Sequence, residues 1–235
     1  MKKIVITGGT GRFGNVLKNC KTKYKLFFPT KKDLDILDEK KIQRYLKKIK
    51  PSYLIHLAGL SRPMAVHETN IRKSIDLNII GTANITKVCS EHNIKLIYFS
   101  TNYVYPGNKG NYKETDSLLP INNYAWSKLG GETSVQLYKN SLILRVCMTE
   151  RPFVHSKAFV NVKTSFAYHD EISKILFKIL DNKGVINIGG KSQFIYDFAK
   201  KDNKKLKRIY LKRGAKIGIP FDSSISISKL KKLLR

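Results

Sequence analysis

Acidic residues are scarce in this chain. Its 235 residues carry 17 Asp and Glu against 45 Lys and Arg, a formal charge of +28. The imbalance favours either polyanionic partners or a very soluble, lysine-rich surface. Cysteine is nearly missing too: Cys20, Cys89 and Cys147 are odd in number and widely separated, which argues against a disulfide framework and fits a reducing, cytoplasmic setting. No cluster of His, Cys and Asp has metal-ligand spacing, so no metal is expected. Long apolar runs are absent. After Met1-Lys2-Lys3 only Ile4-Val5-Ile6 precede the first glycines, too short for a signal peptide or a membrane span, so no membrane partner is expected. There is no internal repeat and no helix-turn-helix or zinc-finger spacing. From Lys200 to Arg235 there are 13 basic and 2 acidic residues, and apart from Tyr210 aromatic residues are not interleaved with the basic cluster. Any nucleic-acid binding is therefore expected to be weak, salt-sensitive and indifferent to sequence, with no specific nucleic-acid partner.

What is present is a globular composition, 42% hydrophobic, enough for one core-forming domain and a small lobe. Short apolar runs recur at Lys3–Thr7, Tyr24–Phe28, Tyr53–Leu57, Lys95–Ser100, Leu142–Val146 and Val185–Ile188. Between them Gly14–Lys21, Glu39–Ile49, Asn70–His92 and Tyr124–Leu137 have helical spacing. Alternation of this kind predicts an α/β fold, a doubly wound parallel sheet of the Rossmann type.

The first strand runs into Thr7-Gly8-Gly9-Thr10-Gly11-Arg12-Phe13-Gly14. Glycines at Gly8, Gly11 and Gly14 let the turn tighten, let the backbone approach a pyrophosphate and let the following helix pack on the strand. Strand, glycine turn and helix together predict dinucleotide binding. The second strand ends in Pro29-Thr30-Lys31-Lys32, without the acid that would hold a ribose 2′-hydroxyl. Lys31, with Arg12, is then a candidate partner for a 2′-phosphate, and NADPH is expected over NADH, with NADH possible.

Tyr124-Ala125-Trp126-Ser127-Lys128 places a phenol and an ammonium one helical turn apart. A free tyrosine, with a pKa of about 10, is a poor acid-base group at neutral pH; a nearby cation would favour its phenolate. Upstream, Thr101 lies at the end of a strand, where α/β sheets gather reactive groups. Its hydroxyl could hold a carbonyl while Tyr124 moves the proton. Set against these, His56 is expected to be a packed or backbone-bonded histidine, and Cys89 and Cys147 buried small hydrophobes.

These motifs resemble the extended short-chain dehydrogenase/reductases that act on nucleotide sugars, most closely the dTDP-4-dehydrorhamnose reductases. The likeness is carried by TGGTGRFG at Thr7–Gly14, DLDILD at Asp33–Asp38, HLAG at His56–Gly59, NIIGT at Asn78–Thr82, FSTNYVYPG at Phe99–Gly107 and PINNYAWSKLGGE at Pro120–Glu132. It implies a catalytic triad of Thr101, Tyr124 and Lys128, with Lys128 holding the ribose and tuning Tyr124. It places the cofactor against Gly8, Gly11, Arg12, Phe13, Gly14, Lys31, Asp35, Ile36, Ala58 and Gly59, and the substrate against Thr101, Asn102, Tyr103 and Arg145. Where these reductases usually carry Asp and Gly, this chain has Asn102 and Ala125, both near the sugar pocket. Residues 1–148 are expected to form the dinucleotide-binding domain and 149–235 a small substrate lobe, with 169–190 returning to the sheet. The resemblance implies NADPH-dependent reduction of a nucleotide-linked 4-keto-6-deoxy sugar. The alternatives are an epimerase or dehydratase that retains NAD(P), and a noncatalytic regulatory subunit of the same fold. The expected partners are the nucleotide sugar and, for assembly, a homodimer.

Overall fold

The computed structural model describes residues 1–212 and 218–235. Six strands form one parallel sheet: β1 (Lys3–Thr7), β2 (Lys25–Phe27), β3 (Tyr53–His56), β4 (Lys95–Thr101), β5 (Ser141–Val146) and β6 (Gly184–Ile188). Their order is β6-β5-β4-β3-β1-β2, with registers such as Val5 opposite Leu54 and Ile97 opposite Leu142. The doubly wound α/β expectation is met.

Period-two alternation explains the two layers of core. Ile4, Ile6, Ile55, Ile97, Phe99, Leu142 and Leu144 face one side, where they meet Phe13 and Leu17 of helix α1 (Arg12–Lys18). Val5, Leu54, Leu96, Tyr98 and Ile143 face the other, against Ile42 and Leu46 of α2 (Glu39–Ile49) and Ile85, Val88 and Cys89 of α3 (Gly81–Glu91). β4 and β5 are buried along their whole length, as parallel strands covered on both faces must be. The edge strand β2 is short and exposes Lys25.

Helix boundaries follow local chemistry. α2 starts where Asp38 accepts a hydrogen bond from the Lys41 amide at 3.0 Å and stops at Lys50, which is left-handed ahead of Pro51. α1 begins two residues before the predicted Gly14. The single helix predicted over Asn70–His92 is broken: a short turn at Ile71–Ser74 leads into a π-helical turn over Ile75–Ile80 and then α3. That wide turn places Asn78 where its side chain receives the Leu60 amide at 2.7 Å and donates to the Leu60 carbonyl at 2.9 Å and the Ser127 hydroxyl at 2.8 Å. A π turn at such a position is a common way to re-aim one side chain.

Helix α4 (Asn123–Gln136) is capped by Asn122, whose side-chain oxygen accepts from the Ala125 amide. α5 (His169–Leu176) precedes β6, and its Ile172 and Leu176 enter the first core. The remaining C-terminal segments form two-stranded pairs around a small core of Phe153, Ala158, Tyr168, Phe198 and Leu206. Among the described residues no helix is long and apolar enough to cross a membrane.

Candidate active site

The site is assembled at the C-terminal ends of β1, β3, β4 and β5. Gly8 has φ +70°, and a Cβ there would lie 2.6 Å from the Ala58 amide nitrogen; a Cβ on Gly14 would lie 2.6 Å from the Gly9 Cα. No other residue type fits this turn, so α1 and the end of β3 close on bare backbone. The result is a cradle of the shape a dinucleotide needs. Ala58 and Gly59 form its second wall, tied to β1 by the Ala58 amide donating to Thr7 Oγ1 at 3.3 Å.

His56 is a strut beneath that wall. Its ring nitrogens contact Thr7 Oγ1 at 2.7 Å and Thr82 Oγ1 at 3.2 Å, and burial, then the charge of Lys128, push its pKa down to about 3. Between about pH 6.5 and pH 3 the unfolded chain therefore takes up a proton that the folded chain refuses, and stability falls as pH falls through that window. His56→Gln should flatten this acid limb in thermal melts at pH 7 to 4. An unchanged slope would show that other groups set it.

Tyr124 in the first turn of α4 faces Thr101 at the end of β4, whose hydroxyl acts on the phenol. Burial raises the Tyr124 pKa above the ordinary tyrosine value, against that hydroxyl and the charges of Arg62 and Arg12. Lys128, one turn on, is buried, with its ammonium 4.3 Å from the centre of the Tyr98 ring. Burial draws its pKa down to about 7, against the pull of Glu132. The Lys128 ammonium lies over the Tyr98 face, and Arg62 and Arg12 are the cations whose charge acts on the Tyr124 phenol. Two aromatic rings pack edge-on around Tyr124: His67 at 5.1 Å and Tyr103 at 6.3 Å between centroids. His67 is fully buried, with Nδ1 bonded to Ser74 Oγ at 2.8 Å and no hydrogen-bond partner for Nε2 among the described residues.

The structure redistributes several other expected site residues. Arg145 is not free for a substrate: its guanidinium is 3% exposed, donates to Glu132 Oε1 at 3.1 and 2.7 Å, and is shared with Tyr105 and the Glu114 carbonyl. Asn102 is buried and donates to the Ser223 carbonyl at 2.9 Å, tying the C-terminal segment to the end of β4. Both were expected to touch the sugar; the Arg145 guanidinium and the Asn102 amide nitrogen bond within the scaffold instead. Lys31 is exposed and lies 3.7 Å from Asp35, and Ile36 is buried against Gly81. In the turn beyond β2, Asp33 accepts from the Thr30 amide at 2.9 Å and hydroxyl at 2.7 Å. Arg12 pairs with Glu150 at 3.1 Å, as does Arg62. Neither Arg62 nor Glu150 carries a sequence signal, since each sits in a loop and their contact joins segments 88 residues apart.

A parallel sheet in this order, with a glycine cradle beside a threonine and tyrosine pair, is the architecture of the extended short-chain dehydrogenase/reductases, and the chain is of that class. It belongs to the RmlD substrate binding domain family, which matches residues 1–164. It is 32% identical over 155 residues to methionine adenosyltransferase 2 subunit beta of Xenopus laevis, covering 62% of this chain and 46% of that protein. It is 29% identical over 154 residues to dTDP-4-dehydrorhamnose reductase of Aggregatibacter actinomycetemcomitans, covering 63% and 52%. The chain thus spans about half the length of these curated relatives. In fold it is similar to the dTDP-4-dehydrorhamnose reductase from Bacillus anthracis in complex with NADP, with a TM-score of 0.88 at 23% identity over 99% of this chain and 93% of that one. A UDP-glucose 4-epimerase from Thermus thermophilus in complex with NAD gives 0.78 at 16% identity over 98% and 92%.

Proposed function

We propose that the chain binds a nicotinamide dinucleotide, NADPH in preference to NADH, and reduces the keto group of a nucleotide-linked 4-keto-6-deoxy sugar. The observation that carries this reading is the meeting of Thr101 and Tyr124 at the end of β4, beside the glycine cradle. The bound dinucleotide supplies hydride. The chain's own residues must then put a proton on the ketone oxygen. Tyr124, with its pKa held up by burial, is protonated at neutral pH, the state that an acid in a reduction requires. Thr101 orients the oxygen. Net oxidation of the dinucleotide separates this reading from the epimerase alternative, which would return its hydride in every cycle. NADPH consumption with a panel of nucleotide-linked 4-keto sugars, products identified by mass and NMR, tests the proposal.

Gly8 and Gly14 form a cradle that a Cβ would fill, so the residues present fit a dinucleotide. Lys31, exposed beyond β2, is the cation we offer for a 2′-phosphate, with Arg12 of the glycine loop the second. NADPH should bind more tightly than NADH, and Lys31→Glu with Arg12→Glu should remove most of the difference. Equal dissociation constants in the unaltered protein would overturn the preference.

A second reading is a noncatalytic subunit of the same fold. The 32% identity to a methionine adenosyltransferase subunit favours it, and dinucleotide binding without turnover on any keto sugar is its signature.

A further inference from the structure

Three segments far apart in the chain meet at the mouth of the cleft. Arg12 comes from the glycine loop, Arg62 from the loop after β3, and Glu150 from the segment after β5. Glu150 Oε1 lies 3.1 Å from a terminal nitrogen of each guanidinium. Arg62 also donates to Oε2 at 3.4 Å, as does the Thr149 hydroxyl, and Arg12 donates to Ser61 Oγ at 3.4 Å. The carboxylate side chain is 17% exposed, whereas Arg12 and Arg62 are 45% and 38% exposed. Burial raises the Glu150 pKa, but the backbone hydrogen bond and the charges of Arg62 and Arg12 outweigh it and hold the carboxyl ionised. The neighbouring imidazoles of His155 and His169 are pushed toward neutrality, chiefly by burial. The cluster is therefore two cations gripping one anion.

Two guanidiniums converging on one oxygen form the arrangement that binds phosphate oxygens in planar, charge-assisted pairs. Arg12 belongs to the glycine loop and Arg62 to the loop after β3, beyond the carboxyl ends of the strands, where open α/β sheets take phosphate-bearing ligands. A carboxylate held there has the charge of such a ligand and none of its size. We propose that Arg12 and Arg62 form a diphosphate-binding site that Glu150 fills in the free protein, so that a ligand's diphosphate enters by displacing the Glu150 carboxylate. The inference rests on the dinucleotide reading above. The diphosphate belongs either to the dinucleotide or to the nucleotide sugar, since both carry the same group. Glu150 thereby sets affinity: it keeps the arginines ordered and competes with the ligand for them.

The test is titration calorimetry on the full chain with NADPH, ADP-ribose and dTDP at low and high salt. Glu150→Gln removes the competing charge while keeping the side-chain shape. It should tighten binding of a diphosphate ligand by about three- to thirtyfold, the worth of two partly exposed ion pairs. The gain should shrink at high salt and vanish when Arg62→Gln is added. Glu39→Gln, which breaks the distant 3.0 Å pair with Lys87, makes the same change in net charge and should leave binding unchanged. Thermal melts establish that each variant is folded. A gain with NADPH and ADP-ribose assigns the site to the dinucleotide, and a gain with dTDP alone assigns it to the nucleotide sugar. Equal or weaker binding by Glu150→Gln, with wild-type NADPH binding intact, overturns the displacement and leaves the dinucleotide reading standing. If neither protein binds any of the three ligands, both fall.

Discussion

Tyr124→Phe should lower turnover by about 10²–10⁴-fold, the usual worth of a positioned acid, while dinucleotide affinity stays within about twofold of wild type. The substitution keeps the ring, and with it the edge-on packing against His67 and Tyr103, so the loop over the site has no cause to move. What it removes is the O–H that faces Thr101 and would protonate the ketone oxygen. Thr101→Val should mainly slow turnover, because the ketone loses its orienting hydroxyl. Lys128→Met should behave differently again. Its ammonium is buried with a pKa drawn down to about 7, an unfavourable placement that a methionine relieves. The variant should melt no lower than wild type at pH 7 while losing both turnover and dinucleotide affinity. Single-turnover measurements beside binding titrations separate these effects. Wild-type protein that binds NADPH and oxidises none with any nucleotide-linked 4-keto sugar, with Tyr124→Phe altering nothing measurable, would hand the chain to the noncatalytic reading.

Glu132→Ala should destabilise the fold by about 3–5 kcal/mol, the cost of leaving one partner of a buried ion pair uncompensated. Glu132 and Arg145 are 0% and 3% exposed at a separation of 2.7 Å, and the second carboxylate oxygen accepts from Ser100 at 2.5 Å. Deleting the acid strands a guanidinium between β5 and α4, where water cannot reach it. For a domain of this size the loss is a fall of roughly 10 °C in melting temperature. Replacing both partners, as Glu132→Leu with Arg145→Met, should recover much of the loss, because an apolar pair of similar volume carries no charge to desolvate. A fall of under about 2 °C for Glu132→Ala would show that the pair is not the tie described. Because Lys128 also senses Glu132, the single variant should lower the lysine's pKa further, and the effect should appear in the pH profile of dinucleotide binding.

Strand runs, helix periodicity and the glycine spacing are properties of neighbouring residues, and the sequence alone determined the parallel sheet, its two layers of helices and the cradle at Gly8 and Gly14. It also marked Thr101 and Tyr124, since a hydroxyl at a strand end and a tyrosine one turn before a lysine are both local patterns. What it could not determine was partnership across the chain. Arg145 and Arg62 are equally arginine in the sequence, yet one is locked to Glu132 in the core and the other meets Glu150 at the cleft, because only folding sets which acid each faces. In a chain with 17 acids among 45 bases, most cations must go without a partner, and nothing local says which will find one. The π-helical turn that aims Asn78 was likewise settled by tertiary contact, since Leu60 and Ser127, which hold it, lie 18 and 49 residues away.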